Sequence, residues 1–186
     1  MGKTALILIK NLSLLAIGVT LLAACSFDYS GGAGSEITRP DLVMENLEYV
    51  RVRGGDPLVR FQAEYAERWE NNQTMLLREF TFEQMENSGE VVNAEGRAGA
   101  ASVELSSGNV NLRGGVSIYI ESEDISITTD EFMWIDQEKT LTAGVENEVD
   151  ITRSDGTSFT GRGFSADARN WTWSFADEVY GTFVEE

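Results

Sequence analysis

Val116-Ser117-Ile118-Tyr119-Ile120-Glu121-Ser122-Glu123-Asp124-Ile125-Ser126-Ile127-Thr128-Thr129-Asp130-Glu131-Phe132-Met133-Trp134-Ile135 is the stretch that decides the fold. Val116, Ile118 and Ile120 fall on one side of an extended chain, with Ser117, Tyr119 and Glu121 on the other. After a polar break, Ile125 and Ile127 resume the alternation, and Phe132 and Trp134 then oppose Met133 and Ile135. Apolar residues recurring every second position are the mark of a strand with one buried face.

The same period extends outward in both directions. Residues 47–53 alternate through Leu47 and Tyr49, and residues 58–63 make a further strand. Gly54-Gly55-Asp56-Pro57 between them is a turn signal, so the two read as a hairpin. Toward the C-terminus, Leu141, Ala143 and Val145 alternate with Thr142 and Gly144. Trp171, Trp173 and Phe175 alternate with Thr172 and Ser174. Helical spacing occurs once, over residues 63–69, where a bend between strands fits equally well.

A weak repeat runs through this pattern. Phe61-Gln62-Ala63-Glu64, Val92-Asn93-Ala94-Glu95, Ile127-Thr128-Thr129-Asp130 and Phe159-Thr160-Gly161-Arg162 each read apolar, polar, small, charged, and their starts lie 31, 35 and 32 residues apart. A second apolar strand follows each one. Units of strand that cannot bury a face alone imply stacked hairpins or a rolled sheet.

Composition narrows the chemistry. The chain has 186 residues, a net charge of −17, one cysteine and no histidine. The lack of histidine removes the commonest general base and metal ligand, and with it every Ser-His or Cys-His arrangement. One cysteine allows neither an intrachain disulfide nor a cysteine-based zinc site. So acidic a chain repels a phosphate backbone, which argues against nucleic acid. The acid clusters Glu121-Ser122-Glu123-Asp124 and Glu146-Asn147-Glu148 lack the spacing of a calcium loop. No pair of carboxylates stands out for glycosidase chemistry. Neither an enzyme nor a cofactor is expected.

Residues 1–24 open with Lys3 and Lys10 and continue in a short apolar run, the pattern of a secretory signal and too short for a comfortable membrane span. The run ends in Leu22-Ala23-Ala24-Cys25, which resembles the lipobox of bacterial lipoproteins. That resemblance implies cleavage before Cys25 and a multiply acylated cysteine, since more than one chain is needed for stable anchoring. Loss of the signal would take two lysines and no acid, moving the charge from −17 to −19. Residues 25–40 then form a flexible glycine- and serine-rich tether, and residues 41–186 the domain.

Gly108-Asn109-Val110-Asn111-Leu112-Arg113-Gly114-Gly115-Val116, the run from Ile127 to Asp136, and Phe159-Thr160-Gly161-Arg162-Gly163-Phe164 with Asp167 resemble the lipopolysaccharide-export bridge family. So does Asp56-Pro57-Leu58-Val59-Arg60-Phe61-Gln62-Ala63-Glu64. The likeness is greatest to the periplasmic component C (LptC) and extends to its relatives LptA and the organic-solvent-tolerance proteins, over residues 45–184. It implies an all-β fold, a rolled antiparallel β-jellyroll of two facing sheets with open edges. It implies a periplasm-facing protein in the cell envelope that takes lipopolysaccharide or a related lipid into an apolar groove. An LptA-like bridge protein and inner-membrane ABC transporter subunits would be its partners, and the inner membrane its place of attachment. Family members usually carry an N-terminal transmembrane helix, where this chain has a lipobox. Lys139 is its only lysine beyond the signal.

The residues suited to a groove wall are Phe61, Val116, Ile118, Ile120, Ile127, Phe132, Trp134, Leu141, Phe159, Trp171, Trp173 and Phe175, together with Val145 and Phe164. Ordinary core packing would use the same residues. The terminal strands, near residues 47–53 and 179–184, are natural edges for strand addition, unless Arg51, Arg53, Glu185 and Glu186 block them. A structural or surface lipoprotein with a closed core fits the same pattern. So does a carbohydrate-binding domain using Trp171 and Trp173 as stacking platforms.

The lipobox makes one clear demand. Cys25→Ala should leave an unprocessed chain that retains its signal, visible as the higher intact mass, whereas the wild-type chain should carry acyl mass on Cys25. A wild-type chain with no acyl mass would end the lipoprotein reading.

Overall fold

The computed structural model describes residues 39–170 and 172–185. The signal, Cys25, nearly all of the tether, Trp171 and Glu186 lie outside the described residues. Ten strands follow in chain order: β1 (Leu42–Arg53), β2 (Asp56–Trp69), β3 (Thr74–Glu86), β4 (Val91–Glu104), β5 (Val110–Ile120), β6 (Ile125–Ile135), β7 (Thr140–Thr142), β8 (Glu148–Arg153), β9 (Ser158–Asp167) and β10 (Thr172–Thr182). All pair antiparallel in one sheet ordered β1-β2-β3-β4-β5-β6-β7-β9-β10. β8 also lies between β6 and β9: β7 pairs with the stretch of β6 ending at Ile135, and β8 with the stretch beginning at Ile125. β7 and β8 are thus two halves of one interrupted strand. The two facing layers are halves of a single hydrogen-bonded sheet.

The β1–β2 hairpin turns on two residues. Gly54 and Gly55 have φ of 66° and 102°, the left-handed backbone that such tight turns require and that glycine adopts without a Cβ clash. Arg53 pairs with Asp56, so Asp56 and Pro57 already belong to β2 rather than to the turn.

Register places the inward residues in rows across the strands. Ala66, Leu77, Ala101, Leu112 and Phe132 are successive partners from β2 to β6. Phe61, Phe82, Gly96, Ile118, Ile127, Ile151 and Phe159 form a parallel row from β2 to β9. Between the rows β2, β3, β4, β6 and β9 slip by one side-chain phase, while β5 takes up two extra residues, Gly114 and Gly115, and keeps its phase from Leu112 to Ile118. Ala63 and Ala66 are both buried, as are Leu77 and Phe80, Ala98 and Ala101, Thr129 and Phe132, and Gly161 and Phe164. A spacing of three on a strand means one extra residue, a bulge that bends the strand and restores the inward face beyond it.

The bulges line up. Asn46, Glu79, Gly114, Gly115, Gly163 and Glu178 all have positive φ, on β1, β3, β5, β9 and β10. The β7–β8 interruption continues the same line. The sheet is creased along it, as at the corner of a folded sandwich. Residues 63–69 are strand throughout, within β2; their helix-like spacing is the crease crossing β2 at Glu64. Val145 lies in the β7–β8 interruption at 58% exposed, not in a strand with Leu141.

There is no α-helix among the described residues, so the apolar face is covered by the sheet's own opposite half. Phe132, Phe164, Leu77, Val116 and Val149 are fully buried, each contributing about 1.5–3 kcal/mol by leaving water. Of the repeat segments, Phe61, Ile127 and Phe159 share the second row, on β2, β6 and β9, while Val92 on β4 is exposed.

Gly96 is where the second row is tightest. A Cβ there would fall 2.5 Å from the Phe82 ring and 2.9 Å from the Ser117 carbonyl oxygen. Gly96→Val should therefore destabilise the domain by about 1–3 kcal/mol, seen as a lower urea midpoint at unchanged slope. An unchanged midpoint would mean that Phe82 and β5 yield freely.

Candidate functional site

Of the described residues suited to a groove wall, all but Val145 face inward, but at different depths. Val116, Ile118, Ile127, Phe132 and Phe164 lie in the packed core. Phe61, Ile120, Leu141, Phe159 and Phe175 are half-buried and pack against it. Trp134 is half-buried near the end of β6, and Trp173 on β10 is 42% exposed. Trp171 lies outside the described residues.

Aromatic contacts carry the interior out to both free edges. From the core, Phe132 meets Phe164 at 5.7 Å between centroids, Phe164 meets Phe175 at 5.4 Å, and Phe175 meets Trp173 at 5.7 Å. On the other side Phe80 lies 6.0 Å from Phe61, which stacks on Tyr49 of β1 at 4.6 Å and 18°. Tyr49, Leu77, Phe80 and Phe82 were absent from the wall residues expected from sequence. Phe80 and Phe82 were detectable there, since they alternate with Glu79 and Thr81. Leu77 was not, because Glu79 puts it out of phase with them.

β1 bonds only to β2, and β10 only to β9. Both free strands expose apolar side chains: Leu42, Val43, Tyr49, Val50 and Val52 on β1, and Trp173, Val179 and Tyr180 on β10, with Phe183 just beyond. Most soluble sheets protect such edges. Arg51 and Arg53 lie on the first, both exposed. Past β10, the Val184 amide donates to the Thr157 hydroxyl at 3.2 Å, holding the tail on the β8–β9 turn.

The charges bridge neighbouring strands and fasten turns. Lys139 approaches Asp136 to 2.6 Å in the β6–β7 turn, and the Trp134 indole N–H donates to the same carboxylate. Lys139, then the indole, then the field of Arg51 hold the Asp136 carboxyl below its usual range against some desolvation. Arg51 is thus close enough to act on a turn six strands away, as expected of a sheet rolled back on itself. Asp124 is lowered by hydrogen bonds from Ser154 and Tyr119, which tie the β5–β6 turn to the β8–β9 turn. Glu131 is lowered by Asn111 and then Arg113.

Two open depressions of about 470 and 430 Å³ lie on the outer face. The first holds Arg60, Glu83, Glu95, Arg97 and Tyr119, an array suited to water rather than to an apolar ligand. No group of three or more metal-ligating side chains converges among the described residues. Nor does any described helix have the length and apolarity to cross a membrane.

No protein-family model matches the sequence, and no curated protein does. Among solved structures, the chain resembles LptH of Pseudomonas aeruginosa, described as the LptA homologous periplasmic component of the conserved lipopolysaccharide transport device. The two share a TM-score of 0.54 at 10% identity, over 68% of this chain and 95% of that one. At that identity the likeness is one of fold: this chain has the rolled, all-β architecture of that transport component.

Proposed function

We propose that this protein is a membrane-anchored, non-enzymatic bridge component of lipid transport in the periplasm. It receives lipopolysaccharide or a related lipid in the interior of the roll and passes it to a β-roll partner. The observation that carries this reading is the continuity of the interior: inward apolar rows run from one unpaired edge of the sheet to the other. An interior open at its edges lets acyl chains pass sideways without leaving an apolar surface, and the free edges offer strands to a neighbour. The fold of LptH supports it. Within this reading the chain is of the component C type, held by an acylated Cys25 and working beside inner-membrane ABC transporter subunits. Phe61, Ile118, Ile127, Trp134, Phe159, Trp173 and Phe175 are the residues that would meet acyl chains.

One observation favours a second reading. Val116, Phe132, Val149 and Phe164 are at most 1% exposed, a degree of closure that suits a structural lipoprotein with no cargo. Ile118→Glu separates the two. In an opening interior, the variant keeps its strand content by circular dichroism and loses lipid crosslinking. In a permanently closed core, an unpaired buried carboxylate unfolds the domain. Retained fold with undiminished lipid capture would remove Ile118 from the path.

The partner is tested at the last strand. Thr182 is exposed on β10, and a photo-crosslinker there should capture a protein of similar fold in cells. Capture of nothing from either terminal strand, in cells where the protein functions, would count against a bridge.

A further inference from the structure

Glycine occupies two inward positions beside the β10 edge, and in each case an aromatic ring fills the space a side chain would take. A Cβ at Gly161 of β9 would fall 2.7 Å from the Phe175 ring of β10, and one at Gly181 of β10 would fall 2.9 Å from the Phe159 ring of β9. Rings laid over glycine cover backbone that has no side chain of its own. Trp173 joins the two, with its ring 5.6 Å from Phe159 and 5.7 Å from Phe175 between centroids.

The contact with Phe159 crosses the fold. Register puts Trp173 at the end of an inward row that runs through Val110, Trp134, Leu141 and Ala166, on the same side of the crease as Phe132. Phe159 ends the second row, on the other side of the crease. Trp173 and Phe159 therefore meet where the two halves of the sheet come together at the β10 edge, and their contact closes that edge. At the β1 edge Tyr49 stacks on Phe61 instead, and both belong to the half that holds the second row.

The closure is held loosely. Phe132 and Phe164 behind it are at most 1% exposed, whereas Trp173 is 42% exposed. The indole N–H of Trp69 donates to Glu67 and that of Trp134 to Asp136, while that of Trp173 has no acceptor among the described residues. β10 is a free edge, so no neighbouring strand stands on its far side to trap the ring. Further along β10, alternation sets Val179 and Phe183 on the same side as Gly181, at 56% and 69% exposed. They continue the apolar surface outward from the closure.

We propose that Trp173 is an aromatic gate for acyl chains at the β10 edge. At rest its ring and those of Phe159 and Phe175 hold the space over Gly161 and Gly181. When the rings swing outward, that space becomes a slot for one acyl chain passing between the interior and the lip of Val179 and Phe183. An unbranched chain suits a slot floored by glycine, and it replaces the apolar contacts that the rings give up. The proposal rests on the lipid-path reading above and adds to it the residue that limits the rate of passage. A gate differs from a wall in what its removal does. Losing a wall contact weakens binding, whereas losing a gate speeds entry and exit alike and leaves the equilibrium in place.

The test mixes the intact protein with phosphatidylcholine vesicles that carry palmitic acid with a diazirine in mid-chain. Flash irradiation at successive times fixes the probe where it lies. Mass spectrometry then counts adducts on β6, whose inward Ile127 and Phe132 are enclosed. Wild type is compared with Trp173→Ala, and with Gly96→Val as a chain loosened away from the edge. Gly161→Ala, whose Cβ meets the Phe175 ring, displaces the closure by a second route. It takes the place of Trp173→Ala if that variant loses strand content by circular dichroism.

A gate open in about 10% of molecules or fewer slows entry by that fraction. Trp173→Ala should therefore shorten the half-time of labelling about tenfold or more, with a final yield within about twofold of wild type. Gly96→Val should leave the half-time as it is. An unchanged half-time in Trp173→Ala overturns the proposal, and a lower final yield at that unchanged half-time makes Trp173 a wall. Equal shortening in Gly96→Val also overturns it, since labelling then measures loosened packing. In these cases the lipid path stands. Absence of adducts on β6 in every folded chain, wild type included, removes the lipid path and the gate with it.

Discussion

A sheet without helices must hide its own apolar face, and the rest of this structure depends on that constraint. Flat sheets do not close; this one closes because its strands gain an extra residue along one line. The line runs from Asn46 on β1 to Glu178 on β10 and is soft where glycine occupies it, at Gly114, Gly115 and Gly163. Where β7 gives way to β8 the strand is cut instead of bent. The bend brings the two inward rows face to face and makes one core from ten strands.

Closure along a crease leaves the sheet's two edges unpaired. A barrel would have joined β1 to β10 and abolished both. Here the interior reaches the surface at each edge through an aromatic path, Tyr49 with Phe61 on one side and Trp173 with Phe175 on the other. The same geometry thus supplies an apolar path and the strands to extend it, two requirements of the proposed bridge.

Much of this was legible in the sequence. The alternation of Val116, Ile118 and Ile120, resumed at Ile125 and Ile127, marked two stretches of strand, which the structure pairs through Ile118 with Ile127 and Ile120 with Ile125. Gly54-Gly55-Asp56-Pro57 marked the first turn, of which Asp56 and Pro57 belong to β2. The crease was hidden because a bulge shifts a period-two pattern by one and, read locally, looks like a helical step, as at Ala63 and Ala66. Val145 misled for the related reason that alternation continues on paper across the point where the strand is cut. Whether an inward residue is core or path is a matter of how tightly the opposite wall sits. A wall contributed by residues far along the chain leaves no trace in local spacing.

The order of the strands also bears on how the chain comes together. From β1 to β6 each strand lies beside its predecessor, so every new hairpin can pair with a surface already present. Contacts of short sequence range are quick to form, so the chain can zip up in that sequence from β1. β8 breaks the rule by returning to β6 instead of pairing with β7, and β9 must then bridge both halves of the interrupted strand before β10 has anything to pair with. Until it does, the inward faces of β6 and of the strands before it lack the side chains of Phe159 and Phe164. The late-made C-terminal hairpin therefore acts as the latch of the roll, and the molecule spends its last stage of assembly as an open, half-covered sheet.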